Sequence, residues 1–257
     1  MKANPLPIDS VINPGNAGGS VSGTTPIGRS AFPGGSFGTF TSATRIQESF
    51  TSGIERKFLI WAAAHIPPPI HSDHLTLLGF VSMMLAGASY AWARWHPAGL
   101  LLATFFLALN WVGDSLDGTL ARVRNCQRPR YGFYVDHMID SFGALFLMAG
   151  LAISNYVDWR IAMGMLVAFL LLSIESYLAT YTLGTFRMSF AKFGPTEIRT
   201  LLAAGNLALR FHPNAKVPGL PYRLFDFGGI VAMAGMAVMV VVVAAWHTAV
   251  LYRMEKK

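Results

Sequence analysis

Four aspartates fall within one stretch of 27 residues that lies between two strongly apolar segments. They form two pairs: Asp114 and Asp117 are three residues apart, and Asp136 and Asp140 are four residues apart. Because residues three or four apart share a face of an α-helix, each pair predicts two neighbouring carboxylates on one helix. Carboxylates at membrane depth cannot all stay ionised unless positive charge lies among them. The spacing therefore predicts an acidic site that holds a cation.

Small residues accompany both pairs. Gly118 and Ala121 lie four and seven residues after Asp114, and Gly132 lies four residues before Asp136. On a helix these small residues share the face of the carboxylates. Two such helices facing each other would enclose a concave site with room for a ligand. Its donors are all oxygens, which favours Mg²⁺ or Mn²⁺ over zinc.

The same stretch contains a complete family signature. The pattern is Asp, two residues, Asp-Gly, two residues, Ala-Arg, a spacer of eight or nine residues, Gly, three residues, Asp, three residues, Asp. Its fixed positions are filled by Asp114, Asp117, Gly118, Ala121, Arg122, Gly132, Asp136 and Asp140. The chain thereby resembles the CDP-alcohol phosphotransferase family. The resemblance implies a membrane enzyme of phospholipid synthesis, in which a substituted phosphoryl group passes from a CDP-alcohol to an acceptor hydroxyl and CMP leaves.

The resemblance also implies roles for individual residues. Asp114, Asp117 and Asp136 would be metal ligands, and Asp140 would be a further ligand or the general base. The implied cofactor is a pair of Mg²⁺ or Mn²⁺ ions, since metal ions held by carboxylates neutralise a diphosphate and stabilise the leaving phosphate. Small side chains would leave space for the cytidine and ribose, and an arginine would reach a phosphate oxygen. These substrate-binding residues are Gly118, Ala121, Gly132 and Arg122.

Two shorter strings bear on the choice of alcohol. One is Asp136-His137 followed by Asp140-Ser141, and the other is Gly-Pro-Thr-Glu ending at Glu197. Both are similar to strings of the choline and ethanolamine phosphotransferase branch, in which the His and Glu are thought to activate the lipid hydroxyl. His137 and Glu197 are therefore expected to be catalytic, with diacylglycerol as the acceptor.

Alternatives stay open at each of these points. His137 would also suit a hydrogen-bonded histidine at the membrane interface, and Glu197 a first-turn carboxylate favoured by the helix dipole. The CDP-diacylglycerol branch, with inositol phosphate, glycerol phosphate or serine as the acceptor, is the alternative reaction. A cation-coupled transporter is the alternative outside enzymes, although the halves show no internal repeat of the kind common in transporters.

The composition indicates an all-α, polytopic membrane protein. The chain is 53% hydrophobic and 13% charged, whereas soluble domains carry about 25% charged residues. Residues 1–41, rich in Gly, Pro, Ser and Thr, predict a disordered tail. Residues 42–69 predict an amphipathic interfacial helix and a Pro-rich turn, although an ordinary packed helix would show the same pattern. Six transmembrane helices are expected within residues 70–257.

The distribution of charge predicts the orientation. With the N-terminus inside, 15 of the 20 lysines and arginines fall on the inner side and 5 on the outer. The positive-inside rule then places both termini and the aspartates in the cytoplasm. The net charge of +7 suits membrane lipids and anionic substrates rather than nucleic acid, for which no basic module is present. A homodimer is expected by resemblance.

Two expectations concern charged residues outside the signature. Arg124, Arg128 and Arg130 follow the first pair of aspartates and are expected to be membrane-surface charges. Glu175 lies deeper in apolar sequence, where a carboxylate is costly, so we expect it to be paired or functional.

Overall fold

The computed structural model describes residues 44–46, 52–187, 195–212 and 222–256, so the predicted tail, residues 1–41, lies outside the described residues. Within these ranges the chain forms seven helices and two strands of three residues each. They are β1 (Thr44–Ile46), α1 (Ser52–His65), α2 (Ser72–Ala93), α3 (Ala98–Val123), α4 (Pro129–Ile153), α5 (Trp159–Leu183), β2 (Thr185–Arg187), α6 (Pro195–Phe211) and α7 (Leu224–Met254). The two short strands pair in parallel. Because nearly all of the described residues lie in helices, the prediction of an all-α fold is confirmed.

Five of the helices, α2, α3, α4, α5 and α7, are long and apolar enough to cross a membrane. Helix α6 has 17 residues, which corresponds to a length of about 25 Å, somewhat less than the hydrocarbon core of about 30 Å. The six predicted membrane helices therefore correspond to five long apolar helices and one shorter helix. The protein is a multi-pass membrane protein.

Helix α1 has one packed face and one exposed face. The helix begins at Ser52, whereas the predicted segment began at residue 42. The strand β1 lies within the earlier part of that segment. Leu59 and Ala63 are buried against α2 and α3. Phe58 and Trp61, which belong to the predicted apolar stripe, are 48% and 60% exposed. The helix thus packs on the bundle and still presents aromatic side chains outward, as an interfacial helix does.

One arginine holds the loop between α1 and α2. Arg124 donates hydrogen bonds from its guanidinium to backbone carbonyls of this loop. The acceptors are Ile66, Pro67, Pro68 and Ile70. Prolines have no backbone N–H, so this loop has few donors of its own, although Ile70 N donates to the Pro67 carbonyl at 3.1 Å. The guanidinium supplies further donors to its carbonyls. Arg124 is therefore a structural clamp rather than the simple surface charge that we expected.

Glycines let the backbones of α2, α3 and α4 approach closely. A Cβ atom added to Gly113 of α3 would lie 2.6 Å from the backbone nitrogen of Gly79 on α2. Two turns further along α2, a Cβ atom on Gly150 of α4 would collide with the backbone of Gly87. Since a side chain at these positions would push the helices apart, the glycines bring α3 and α4 against the same central helix.

A buried polar network attaches α6 to this bundle. The hydroxyl of Tyr90 on α2 donates to Asn206 Oδ1 at 2.8 Å, and Asn206 Nδ2 donates to Thr104 Oγ1 on α3 at 3.0 Å. Tyr90 and Asn206 are both fully buried. Buried polar groups are costly unless they are paired, so this network specifies one rotation of α6 about its axis.

The close approach of α2 and α3 can be tested with Gly113→Ala. The new methyl would meet the α2 backbone, and overpacking of this kind costs about 1–3 kcal/mol. We expect the thermal midpoint of the purified protein in detergent to fall by roughly 5 °C. Gly235→Ala on α7 is the matched control, since nothing among the described residues lies within 4 Å of a Cβ atom there. Equal midpoints for the two variants would contradict the proposed packing constraint.

Candidate active site

The structure brings the four predicted aspartates together where α3 and α4 face each other. Asp140 interacts electrostatically with Asp114, Asp117 and Asp136. Asp117 likewise interacts with Asp114 and Asp136. Asp117 is buried, whereas the other three are exposed at the surface of the bundle. The predicted grouping is therefore observed, as a cluster of carboxylates that opens outward on one side.

Asp117 is oriented by a residue of α2. The hydroxyl of Thr76 donates to Asp117 Oδ2 at 2.8 Å. These two residues are 41 positions apart in the chain, and the close packing of α2 on α3 places them in contact. A hydrogen bond to a charged acceptor is about twice as strong as a neutral one. Asp117 Oδ1 accepts from the backbone N–H of Gly118 at 2.5 Å, so both oxygens of this carboxylate are held in a fixed direction.

Asp114 is paired with an arginine from α6. Arg199 Nη2 lies 2.8 Å from Asp114 Oδ2. The Arg199 side chain is 14% exposed and that of Asp114 is 42% exposed, so the pair lies at the edge of the acidic cluster. Arg199 also attracts Asp140 electrostatically. The guanidinium thus offsets part of the negative charge that the four aspartates concentrate.

The donor set of the cluster fits a hard divalent cation, since carboxylate oxygens are the ligands that Mg²⁺ and Mn²⁺ prefer. Within the part of the chain that the structure describes, no three carboxylate, imidazole or thiol side chains are arranged as a metal cage. Two features oppose such a cage: the four carboxylates repel one another, and Arg199 already binds one oxygen of Asp114. The donor chemistry of the site therefore fits a hard cation, whereas the described side chains do not form a closed cage around one.

The small residues of the signature border open space. A Cβ atom on Gly118 would have Arg122 Nη1 as its nearest neighbour, at 3.5 Å. For Gly132, no atom of the described residues lies within 4 Å of such a Cβ atom. Ala121 is half-buried, and Arg122 is exposed with Nη2 donating to Thr119 Oγ1 at 3.0 Å. These glycines differ from Gly113, whose space is filled by another helix, and they leave room beside the carboxylates.

His137 lies on α4 beside an aromatic pocket. Its ring centroid is 4.1 Å from that of Phe133 and 4.8 Å from that of Tyr177 on α5, which it meets edge to face. Its Nδ1 bonds the backbone carbonyl of Phe133 and must therefore carry a proton. In the neutral ring this leaves Nε2 as the nitrogen that accepts a proton.

Tyr177 connects this pocket to the aspartates. Its hydroxyl is in hydrogen-bonding range of Ser141, and it interacts electrostatically with Asp140. Ser141 donates to the backbone carbonyl of His137 at 2.8 Å. The structure therefore brings His137, Ser141 and Tyr177 to the side of the cluster that Asp140 occupies.

The structure describes the side chain of Glu175 but not that of Glu197. Glu197 lies in the first turn of α6, but its side chain is outside the described part of the chain. Glu175 on α5 forms a nearly buried pair with Nδ1 of His247 on α7, as the expectation of a paired carboxylate required. Since Glu175 and Tyr177 are two residues apart on a helix, they point to nearly opposite sides. The Glu175 pair therefore fastens α5 to α7 while Tyr177 faces the site.

The comparison with protein families agrees with the signature. The family model for CDP-alcohol phosphatidyltransferases matches residues 70–250, which include all six helices after α1 apart from the end of α7. The chain belongs to the CDP-alcohol phosphatidyltransferase family. Membership makes the protein a transferase of phospholipid synthesis that uses CDP-alcohols. No curated protein matches the chain closely enough to indicate a relative.

Thr76 and Arg199 are site residues that the sequence did not single out. Thr76 lies in the string Ser-Asp-His-Leu-Thr at the start of α2. Arg199 is seven residues before the buried Asn206, so Arg199 and Asn206 lie on one face of α6. That helical spacing was the available signal for Arg199.

The orienting role of Thr76 can be tested with Thr76→Val, which keeps the shape and removes the hydroxyl. Hydrogen bonds to charged groups contribute about 1.5–3 kcal/mol, so we expect CMP release to fall about 10- to 100-fold. Thr76→Ser keeps the donor and should retain activity within about threefold. CMP release by the purified variants in lipid micelles measures the effect. Equal rates for the Val and Ser variants would show that the hydrogen bond does not orient a working carboxylate.

Proposed function

We propose that the protein transfers phosphocholine or phosphoethanolamine from the CDP-alcohol to diacylglycerol, with release of CMP. The observation that carries the proposal is the cluster of four aspartates beside space left open by Gly118 and Gly132, in a chain that belongs to this family. The position of His137 and Tyr177 next to Asp140 supports the subclass, because an acceptor hydroxyl needs a base at that side.

The aspartates are the proposed metal ligands. Asp114, Asp117, Asp136 and Asp140 would hold two Mg²⁺ or Mn²⁺ ions, which when bound neutralise the diphosphate and stabilise the leaving CMP. Support comes from the all-oxygen donor set, from the mutual repulsion of the carboxylates and from the fixed direction of Asp117. Uncompensated carboxylates in an apolar bundle are expensive, so a site built from four of them favours a strongly charged ligand.

The CDP part of the donor would lie over the small residues. Gly118 and Gly132 leave the space beside the carboxylates that a cytidine and ribose require, and Ala121 adds little bulk. Arg122, next to Gly118 in space, is the proposed contact to a phosphate oxygen, since a guanidinium pairs well with phosphate. This arrangement orients the phosphorus towards Asp140 and the aromatic pocket.

The acceptor hydroxyl would approach from the His137 side. As its oxygen attacks phosphorus, Nε2 of His137 takes the hydroxyl proton, and the bond between this phosphorus and the CMP oxygen breaks. Glu197 is the proposed carboxylate that stabilises the resulting imidazolium through its negative charge, since Nδ1–H already bonds the Phe133 carbonyl. Asp140 is the alternative general base, although a carboxylate that binds a metal ion is a weaker base than a free one. The membrane around α4 and α5 would present the lipid acceptor directly to this side.

One observation favours a second reaction. Arg199 brings a positive charge to the cluster, and the acceptors inositol phosphate and glycerol phosphate carry a phosphate that an arginine could bind. Transfer from CDP-diacylglycerol to such an acceptor is therefore the alternative. For either reaction we propose that the site faces the cytoplasm, as the distribution of lysines and arginines indicates.

A panel of substrates tests the function. We expect the purified protein to release CMP from CDP-choline or CDP-ethanolamine when diacylglycerol is present, with the lipid product identified by mass. Asn at Asp114, Asp117 or Asp136 keeps the shape and removes a charge, and each variant should lose at least about 100-fold in rate. Activity with CDP-diacylglycerol and a phosphate-bearing acceptor would favour the alternative. Full activity in chelator, or in all three Asn variants, would overturn the metal assignment.

The acceptor side generates a separate prediction. His137→Ala and Glu197→Gln should each lower turnover by roughly 10² to 10⁴, the usual contribution of a general base. The double variant should lose little more than either single variant, because the pair acts as a unit. Binding of the CDP-alcohol should persist in all three, since these side chains do not contact the CDP part in the proposal. Steady-state rates and equilibrium binding measure the two effects.

The informative control for this pair is Asp140→Asn. If it is inactive while the His137 and Glu197 variants stay near the rate of the unaltered protein, Asp140 is the base. The amino-alcohol reaction then loses its main support, and transfer from CDP-diacylglycerol becomes the better assignment.

A further inference from the structure

The pair between Arg199 and Asp114 joins a positive side chain to a proposed metal ligand. Arg199 and Asp114 are 85 residues apart in sequence, on α6 and α3, and their side chains meet at 2.8 Å. Asp114 is 42% exposed, so it faces the open side of the cluster rather than the helix packing. An oxygen of Asp114 that accepts from a guanidinium has less electron density to offer a metal ion. Arg199 and a bound cation therefore compete for the same carboxylate.

The position of Arg199 does not depend on this pair. Helix α6 is already attached to α2 and α3 by the buried network at Asn206. Leu202 and Leu209 pack on the apolar core of the bundle. Arg199, Leu202, Asn206 and Leu209 recur at helical spacing along one face. The scaffold thus presents Arg199 to the aspartates whether or not Asp114 bonds it, and the guanidinium can change partner without moving the helix.

We propose that Arg199 is an exchangeable counter-ion that couples metal binding to binding of the CDP-alcohol. This inference rests on the proposed function. Before the metal binds, Arg199 offsets the charge of Asp114. When a metal ion takes Asp114, the guanidinium loses its partner and stays directed at the site, where it also attracts Asp140. The diphosphate of the substrate offers it a new anionic partner, and arginine pairs well with phosphate oxygens.

The exchange has a thermodynamic consequence. Metal binding to the substrate-free protein must break the pair with Asp114, which weakens the affinity for the metal. With substrate present, Arg199 gains a phosphate partner at the same time, so that cost is offset. Metal and CDP-alcohol should therefore bind cooperatively, and each should raise the affinity for the other by the same factor. Arg199 is a positioning residue in this scheme rather than a group that reacts.

The test measures Mn²⁺ binding by electron paramagnetic resonance on the purified full-length protein, with and without CDP-choline, and without any acceptor lipid. A protein-free titration corrects for Mn²⁺ bound by the nucleotide. The variants are Arg199→Gln and Arg199→Lys. Arg210→Gln is the matched control, because Arg210 is exposed near the other end of the same helix. Thermal midpoints accompany each titration and report on folding.

Arg199→Gln should bind Mn²⁺ about 3- to 10-fold more tightly than the unaltered protein when substrate is absent, because a partly buried charged pair is lost. The increase in Mn²⁺ affinity that CDP-choline causes should shrink in the same variant. The Mn²⁺ affinity of Arg199→Lys should lie between that of the unaltered protein and that of Arg199→Gln. Lysine keeps the positive charge but lacks the planar guanidinium. Arg210→Gln should match the unaltered protein. A purely structural role for Arg199 would instead lower the thermal midpoint and weaken Mn²⁺ binding.

Failure of this inference and failure of the proposed function look different. If Mn²⁺ binds the unaltered protein and is lost in Asp117→Asn, but Arg199→Gln binds it with unchanged or weaker affinity, the exchange is wrong and the metal site stands. If Mn²⁺ does not bind the unaltered protein, or binds equally well to Asp117→Asn, the metal assignment itself is overturned. Tighter Mn²⁺ binding in Arg199→Gln together with unchanged coupling to CDP-choline would also contradict the exchange.

Discussion

The mutual repulsion of four carboxylates is the constraint on which the rest of the site depends. Aspartates that face one another among apolar helices cannot share a small volume without compensation. The described residues supply part of it: Thr76 donates a hydrogen bond to Asp117, and Arg199 pairs with Asp114. The remaining negative charge of the carboxylates gives the site a strong preference for further positive charge. That preference is the physical reason why a site of this kind suits divalent metal ions and an anionic diphosphate.

Holding such a cluster together requires a scaffold that does not yield to the repulsion. Helix α2 provides it, because its glycines Gly79 and Gly87 let α3 and α4 come into backbone contact with it. The buried hydrogen bonds of Asn206 fasten α6 to the same core. Helix α5 is fastened to α7 by the pair of Glu175 and His247. The contact of Gly79 with Gly113 lies directly beside Asp114, so the packing of α2 on α3 also places one of the aspartates.

The two sides of the candidate site differ in character. The side with Gly118 and Gly132 combines small residues with carboxylates. The side with His137 and Tyr177 offers aromatic surface and a nitrogen that can accept a proton. Arg199 pairs with Asp114 at the edge of the cluster.

The sequence by itself determined the all-α membrane fold, through its long apolar segments. It also predicted the grouping of the four aspartates, because that grouping depends on helical periodicity within one stretch of 27 residues. The tertiary structure alone decided which distant residues complete the site. Thr76 reaches Asp117 across 41 residues, and Arg199 reaches Asp114 across 85. It also decided that Arg124 clamps a proline-rich loop. Such contacts follow from which helix faces pack together, and that packing is set by glycines and buried polar groups distributed over the whole chain.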